Sequence, residues 1–185
     1  IFLFSRPTVE NSSPPPPRRS EDSQAFQQFS TPLELAFIAA EAGAITQTDT
    51  VLEPSAGTGM LAVHAHALQA KLILNELAAA RADMLAALFP SARLSRFNAE
   101  NIDDYLPRAL QPSLVLMNPP FSAKANVTSK HQGIDALHIH TALKRLAPGG
   151  RLVAITGKGC IPSNPSYLDI FGKIGDLGQI LFSAS

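Results

Sequence analysis

Short apolar runs alternate along this chain with longer segments of helical periodicity, and this alternation limits the fold more than any other feature. Five runs have the length and the flanking turn residues of buried strands. They cover residues 50–54, 71–75, 92–97, 114–117 and 151–156. Because a helix between two strands returns the chain to the end where the first strand began, such strands pair in parallel. The sequence therefore predicts a doubly wound α/β fold, with a mostly parallel sheet and helices on both faces.

The helices are predicted from start and stop signals and from apolar spacing. In the first, Thr31 fits the cap, Pro32 the first helical position and Glu34 the end of a capping box, and Gly43 is a stop signal. Further helices are expected at about 60–69, 77–88, 134–146 and 166–171, with a helical turn at 101–106 and a sixth strand at 179–182. The expected core-facing residues of the two longest are Leu77, Ala80, Met84 and Leu88, and Ile139, Ala142, Leu143 and Leu146.

The length of 185 residues suits one domain with its own core. Residues 1–25 include four consecutive prolines followed by Arg18 and Arg19. We therefore expect a proline-rich arm or linker over residues 1–25 and a folded domain over residues 26–185. The formal net charge is zero, so the overall charge gives no support to nucleic-acid binding, which would need a local basic patch.

Cysteine and histidine usage excludes several kinds of site. Cys160 is the single cysteine, so no internal disulfide can form, which fits a reducing cytoplasm. No apolar run reaches transmembrane length, and the apolar first four residues are too short for a signal peptide. We therefore expect a cytoplasmic protein with no membrane partner. His64 and His66 lie two residues apart on a helix, as do His138 and His140, so neither pair shares a face, and no metal site is predicted.

Residues with binding chemistry follow four of the predicted strands. In a parallel sheet the carboxyl ends of the strands meet at one edge, where doubly wound proteins bind their ligands. The groups expected at that edge are the glycine-rich turn with Ser55, Gly57 and Gly59, then Glu76, then Asn98 with Ala99, and finally Asn118, Pro119, Pro120 and Phe121. Four signals at one edge favour a binding site there.

The glycine-rich turn and Glu76 have the spacing of a dinucleotide-type site. From Gly57 the pattern is G-x-G-x-x-A, whose glycines let the backbone turn tightly and let a ligand lie against it. Glu76 follows about 20 residues later, where such folds place a carboxylate on ribose hydroxyls. The alternative is that Glu76 only opens the next helix. An NAD site is the weaker interpretation, since nothing supplies a hydride acceptor site.

The four residues after the fourth strand can hold a planar amine. Pro119 and Pro120 prevent further helix or sheet pairing, so the strand must end there. The Asn118 side-chain oxygen and a proline carbonyl can accept the two N–H groups of an amine, and the Phe121 ring can stack on its plane. The alternative is a strand-ending turn followed by a core phenylalanine.

Together, residues 53–59 and 118–121 resemble the class I S-adenosylmethionine-dependent methyltransferases, in particular the amino-methylating branch that includes adenine-N6 DNA methylases. Phe29, Ser30, Thr31 and Pro32 resemble the N-terminal cofactor motif of that branch. A further similarity is to the methylase-like domains of strawberry-notch-type helicase fusion proteins. The likeness extends over about residues 26–160 and implies a Rossmann-like class I methyltransferase fold, expected here without its usual last, antiparallel strand.

The resemblance implies S-adenosylmethionine as the cofactor and assigns a role to each motif. Glu76 would hold the ribose hydroxyls. Asn98, where many relatives carry Asp, would accept from the adenine amine through its carbonyl, and Ala99 would donate its N–H to a ring nitrogen. Thr31 and Pro32 would border the methionine end of the cofactor. The residues implied to line its methionine and ribose region are Glu53, Ser55, Gly57 and Gly59.

The implied reaction is methyl transfer to an exocyclic amine, and the preferred candidate substrate is adenine N6 in DNA. An adenine in a duplex must flip out of the stack to be reached. The residues implied to act on the substrate are Asn118, Pro119, Pro120 and Phe121. The expected partners are DNA or RNA, and a helicase or target-recognition domain outside this chain. Two alternatives stay open. One is methylation of RNA guanine or adenine or of a protein glutamine amide, and the other is a non-catalytic module that binds cofactor or nucleic acid within a helicase-type protein.

Overall fold

The structure is a computed structural model that describes residues 30–120 and 133–179. Within this part of the chain, five strands form one parallel sheet in the order β3-β2-β1-β4-β5. They are β1 (Thr50–Glu53), β2 (Lys71–Asn75), β3 (Arg93–Ser95), β4 (Leu114–Met117) and β5 (Arg151–Ala154). The five predicted strands are confirmed, with ends that differ by up to two residues. The arm over residues 1–25, Phe29, Phe121 and residues 180–182 of the predicted sixth strand lie outside the described residues.

Six α-helices accompany the sheet in the described segments: α1 (Leu33–Ala42), α2 (Met60–Ala67), α3 (Ala79–Leu88), α4 (Ile102–Tyr105), α5 (Ile134–Leu143) and α6 (Leu168–Gly175). Short 3₁₀-helices at Ala99–Asn101 and Pro165–Tyr167 lead into α4 and α6. The expected helical turn at 101–106 and the short helix at 166–171 are therefore confirmed. None of the described helices is both long enough and apolar enough to cross a membrane.

Two apolar layers cover the two faces of the sheet. Along β4, Leu114 and Leu116 pack in the layer with α1, α2 and α3, whereas Val115 and Met117 pack in the layer with α4, α5 and α6. Successive side chains of a strand point to opposite faces, so a strand buried on both sides is apolar throughout. This arrangement confirms the doubly wound α/β fold.

The core-facing side predicted for α3 is wrong. Leu77 precedes the helix, and Leu77, Met84 and Leu88 are exposed, whereas Ala82 and Leu85 are buried. The helix has apolar residues on several sides, so its periodicity does not select one face. Packing selects it instead, because Leu85 lies against the glycine-rich turn. In α5 the prediction is confirmed, since Ile139 and Ala142 are buried and Leu143 and Leu146 are partly buried.

The start of α1 also differs from the prediction. The helix begins at Leu33 with Pro32 in the cap position, and no side chain caps it, so the expected capping box of Thr31 and Glu34 is wrong. The physical reason is that the Thr31 hydroxyl lies within hydrogen-bond distance of a distant side chain rather than of the first turn. The helix ends at Ala42 with Gly43 in the C-cap position, so the predicted stop signal is confirmed.

At the amino ends of the strands, Asp49 joins three of them. Its carboxylate accepts bonds from Arg151 Nη1 (3.0 Å) and Nη2 (2.8 Å) at the start of β5, and from Ser113 Oγ (2.6 Å) before β4. Arg151 holds the pKa of Asp49 well below its ordinary value, against the opposing effect of burial, and hydrogen bonds from Ser113 and Thr46 add to the lowering. This end of the sheet is tied together by charge, whereas the binding motifs lie at the opposite end.

Candidate functional site

The strand order reverses between β1 and β4, which are neighbours in the sheet although two other strands separate them in sequence. The chain moves outward from β1 to β2 and β3, then crosses to the other side at β4. In doubly wound sheets the crevice at such a reversal is the usual ligand site. The glycine-rich turn follows β1 and Asn118 follows β4, so the topology brings these two predicted motifs to the two sides of this crevice.

The glycine-rich turn needs glycine for conformation and for packing. Gly57 and Gly59 have left-handed φ angles of 56° and 80°, which side chains rarely adopt. A Cβ on Gly59 would also lie 2.7 Å from Phe89 Cε2 and 2.9 Å from Leu85 Cδ2. The backbone N–H of Ala56 donates to the Asn75 carbonyl at 2.9 Å, which fixes the turn against the end of β2. Ser55 is half-buried in the same turn.

Glu76 bridges the glycine-rich turn and the start of α3. Its Oε2 accepts the Gly57 N–H at 2.8 Å, and its Oε1 accepts the Ala78 N–H at 2.8 Å. The residue is buried, with 8% of its surface exposed. Each carboxylate oxygen has a further lone pair, so these bonds leave room for ribose hydroxyls. The helix-start contact and the contact with the turn therefore coexist, and the ribose role stays a prediction.

Glu53 is a buried carboxyl group with a free oxygen. It is 2% exposed, and a hydrogen bond from the backbone N–H of Ala62 reaches it from the first turn of α2. Its Oε2 has no hydrogen-bond partner among the residues that the structure describes. Burial raises the pKa of Glu53 well above its ordinary value; the Ala62 bond opposes this rise, and the nearby charge of Glu76 adds to it. A buried acceptor without a partner is costly, and a cationic donor would satisfy it.

Sequence reasoning missed Asn75, the last residue of β2. Its Nδ2 donates to the carbonyls of Pro54 (2.8 Å) and Phe97 (2.9 Å). Its Oδ1 accepts from Ser95 Oγ (2.8 Å) and from the Phe97 N–H (2.9 Å). One buried amide thus ties the carboxyl ends of β1, β2 and β3 together. The available signal was an asparagine at the end of an otherwise apolar strand, where only a fully bonded amide is tolerated.

Asn98 and Ala99 lie after β3, as predicted. Asn98 is exposed and caps the following 3₁₀-helix, because its Oδ1 accepts the Glu100 N–H at 3.1 Å. Its backbone carbonyl accepts the Asn101 N–H at 3.1 Å. Ala99 is buried. A carbonyl oxygen accepts two bonds, so Asn98 retains acceptor capacity, and the predicted adenine contacts remain predictions.

Asn118 is held by Thr31, a residue that precedes α1 and is distant in the sequence. Its Nδ2 donates to Thr31 Oγ1 at 3.1 Å across a separation of 87 residues. Its Oδ1 is buried and, among the described residues, has no hydrogen-bond partner. Pro119 is buried and Pro120 is half-buried, while Pro32 beside Thr31 is exposed. The corner after β4 therefore presents an amide oxygen ready to accept.

A second set of buried side chains consists of Asp135 and His138 on α5 and Cys160 after β5. Burial raises the pKa of the Cys160 thiol to about 12, and the charge and hydrogen bond of Asp135 add to the rise. Cys160 is therefore a thiol at neutral pH and not a nucleophile. Burial lowers the pKa of His138, whose Nδ1 has no hydrogen-bond partner within residues 30–120 and 133–179. In those residues no three His, Cys, Asp or Glu side chains are grouped to hold a metal ion.

Many solved structures share this fold. TrmN from Thermus thermophilus is 22% identical with a TM-score of 0.58, and the match covers 76% of this chain and 42% of TrmN. A protein assigned as a type I restriction-enzyme modification subunit from Vibrio vulnificus is 16% identical with a TM-score of 0.63, covering 79% of this chain and 38% of that one. A protein assigned as an RNA methyltransferase from Pyrococcus horikoshii is 20% identical with a TM-score of 0.59, covering 83% and 73%.

These matches establish the fold. No protein-family model and no curated protein sequence matches this chain significantly. The chain spans less than half the length of TrmN and of the modification subunit. Identities of this size carry structural likeness without fixing the chemistry. The chain therefore has the Rossmann-like fold that these solved structures share, as the resemblance implied.

Proposed function

We propose that this chain is an S-adenosylmethionine-dependent methyltransferase domain that methylates an exocyclic amine, with adenine N6 in DNA as the first candidate substrate. The observation that carries this proposal is the Oδ1 atom of Asn118. It is buried and without a partner among the described residues, at the end of β4 and beside the strand-order reversal. An unpaired buried acceptor suits a ligand that brings an N–H group to it.

The residues along the sheet edge fit the cofactor. The free Oε2 of Glu53 would accept a hydrogen bond from the α-ammonium group of S-adenosylmethionine. That group is the cationic donor that this buried carboxyl lacks. Gly57 has a left-handed φ angle and no side chain, so a ligand can lie close to its backbone. Glu76 would hold the ribose hydroxyls, and Asn98 with Ala99 would bind the adenine. The cofactor supplies a methyl group already activated on a sulfonium.

The chain supplies alignment rather than strong base catalysis. The lone pair of an aromatic amine is delocalised into the ring, which makes its nitrogen a poor nucleophile. Acceptors at Asn118 Oδ1 and the Pro119 carbonyl would bind both N–H groups and favour a tetrahedral nitrogen with its lone pair directed at the methyl. Phe121 would stack on the ring. The amine nitrogen would be cationic once it has accepted the methyl group and would release a proton to solvent, so no residue of the chain needs to be a strong base.

A nucleic-acid substrate is the preferred class. The structures that share the fold include a protein assigned as an RNA methyltransferase and one assigned as a restriction-enzyme modification subunit. The chain spans 38% of that modification subunit, so a target-recognition or helicase domain outside this chain fits the proposal. The acceptors at Asn118 and Pro119 recognise an amine and not a whole base, so RNA bases and a protein glutamine amide are the rival substrates.

The test begins with calorimetric titration of the protein with S-adenosylmethionine and S-adenosylhomocysteine. Transfer of labelled methyl is then measured on single- and double-stranded DNA, RNA and protein acceptors. Asn118→Ala should abolish transfer and leave cofactor affinity within about twofold, since the amide is assigned to the amine. Gln111→Ala, which removes an exposed amide at the opposite end of β4, is the matched control.

The outcomes separate the rival functions. Saturable binding with Asn118-dependent transfer to DNA supports the proposal, and transfer to RNA or protein instead corrects its substrate. Cofactor binding without transfer to any acceptor favours the non-catalytic module. A folded protein that binds neither ligand contradicts the proposed cofactor site.

A further inference from the structure

The contact between Asn118 and Thr31 holds the amide of Asn118 in place. The terminal torsion of an asparagine side chain is soft and broad, so the plane of the amide is poorly fixed when nothing holds it. Here Nδ2 lies 3.1 Å from the Thr31 hydroxyl, and Oδ1 is left as the unpaired atom.

Thr31 can make this contact because it does not cap α1. Pro32 occupies the cap position with an extended backbone, φ −56° and ψ 143°, and its carbonyl accepts the Ala36 N–H at 3.0 Å. The Thr31 hydroxyl is therefore free of the helix it precedes. Its half-buried position beside β4 makes the hydroxyl the partner of Asn118 rather than of the first turn.

We propose that Thr31 is a positioning residue that holds the amide of Asn118 in the plane in which Oδ1 can meet the substrate amine. This inference rests on the proposed function. It replaces a general place for Thr31 at the methionine end of the cofactor with a specific action on the residue that binds the substrate. The hydroxyl is the functional group, so serine should replace threonine and valine, which has the same shape, should not.

The first measurement needs no substrate. In protein labelled with ¹⁵N, the side-chain NH₂ signal of Asn118 is identified by its loss in Asn118→Ala. Thr31→Val should shift this signal and raise its exchange rate with water by about fivefold, the change expected for one hydrogen bond of ordinary strength. Thr31→Ser should retain the wild-type shift and exchange rate within a factor of two.

The second measurement is kinetic, on the acceptor that the wild type methylates. Thr31→Val should lower kcat about five- to tenfold, with the melting temperature and the Kd for cofactor close to wild type. Thr31→Ser should recover at least half of wild-type kcat. An effect of Thr31→Val on cofactor Kd alone, or a serine variant as defective as the valine variant, would overturn the positioning role.

Failure of this inference and failure of the proposed function give different results. An active wild type with an equally active Thr31→Val variant and an unchanged Asn118 signal refutes the role of Thr31 alone. A wild type that transfers no methyl to any acceptor refutes the proposed function, and the positioning role falls with it even where the amide signal responds to Thr31→Val.

Discussion

The carboxylate of Glu76 accepts the backbone N–H of Gly57 at 2.8 Å, 19 residues earlier in the chain. The acid after β2 is thereby bonded directly to the glycine-rich turn after β1. The same carboxylate accepts the Ala78 N–H before α3. Loss of this side chain would free both the turn and the helix start, so its effects on binding and on folding must be measured separately.

Glu76→Ala should weaken cofactor binding by about 1–3 kcal/mol, the scale for loss of a charged hydrogen bond or for leaving a buried donor unpaired. Calorimetric titration measures the affinity, and urea denaturation reports how much stability is lost with the Gly57 contact. The exposed Glu41→Ala is the control on α1. Unchanged affinity in Glu76→Ala would leave Glu76 with a structural role only.

Gly59→Ala should lower the free energy of unfolding by about 2–4 kcal/mol. Its φ of 80° strains any side chain, and the new methyl would meet the Phe89 ring at 2.7 Å. Gly149→Ala is the matched control, because Gly149 has a φ of 75° but no atom within 4 Å of the place that a Cβ would take. That variant should lose only about 1 kcal/mol. Equal losses in urea denaturation would show that packing of α3 against the turn contributes nothing.

Glu53→Gln should change how stability depends on pH. The folded pKa of Glu53 is raised above its ordinary value of 4.5, chiefly by burial. In the wild type, the stability that Glu53 contributes is therefore fully present below pH 4.5 and is lost as the pH rises through the folded pKa. A glutamine is neutral throughout and loses no stability in this way. Across that window the variant should gain on the wild type by up to about 1.4 kcal/mol per pH unit. Denaturation curves at successive pH values measure this, and Glu41→Gln should show no such gain.

Cofactor binding should release a proton at pH values where Glu53 is neutral in the free protein. The α-ammonium group assigned to its free Oε2 would favour the ionised carboxylate. Calorimetry in two buffers of different ionisation enthalpy gives the number of protons released, which Glu53→Gln should reduce. An equal number in the variant would place the ammonium elsewhere.

Asp49→Asn should destabilise the domain by about 2–4 kcal/mol at neutral pH, because Arg151 would keep its charge without the partner carboxylate. Arg151 holds the folded pKa of Asp49 below its ordinary value of 3.8. The wild-type advantage is therefore present above pH 3.8 and is lost as pH falls below it. Denaturation at pH 7 and pH 3 tests this. A difference that stays constant would mean that the ion pair is not the source of the stability.

Local sequence signals were enough to predict the strands and most helices, and the edge of the sheet at which the predicted binding motifs meet. The run at β4 is apolar throughout because both faces of the sheet are covered, and the residues after each strand meet because parallel strands share one carboxyl edge. Where several helix faces were apolar, as in α3, the same signals failed. Helical periodicity ranks the faces of a helix only when their polarity differs.

The sequence by itself determined the order of strands and helices, the glycine-rich turn and the position of Asn118 at the end of β4. Only the tertiary structure decided the partners of the polar groups at that edge: Thr31 with Asn118, Gly57 with Glu76, and the four bonds of Asn75. Strand and helix patterns follow from neighbours along the chain. Hydrogen bonds between residues far apart, and the desolvation that raises the pKa of Glu53, exist only once the chain has packed.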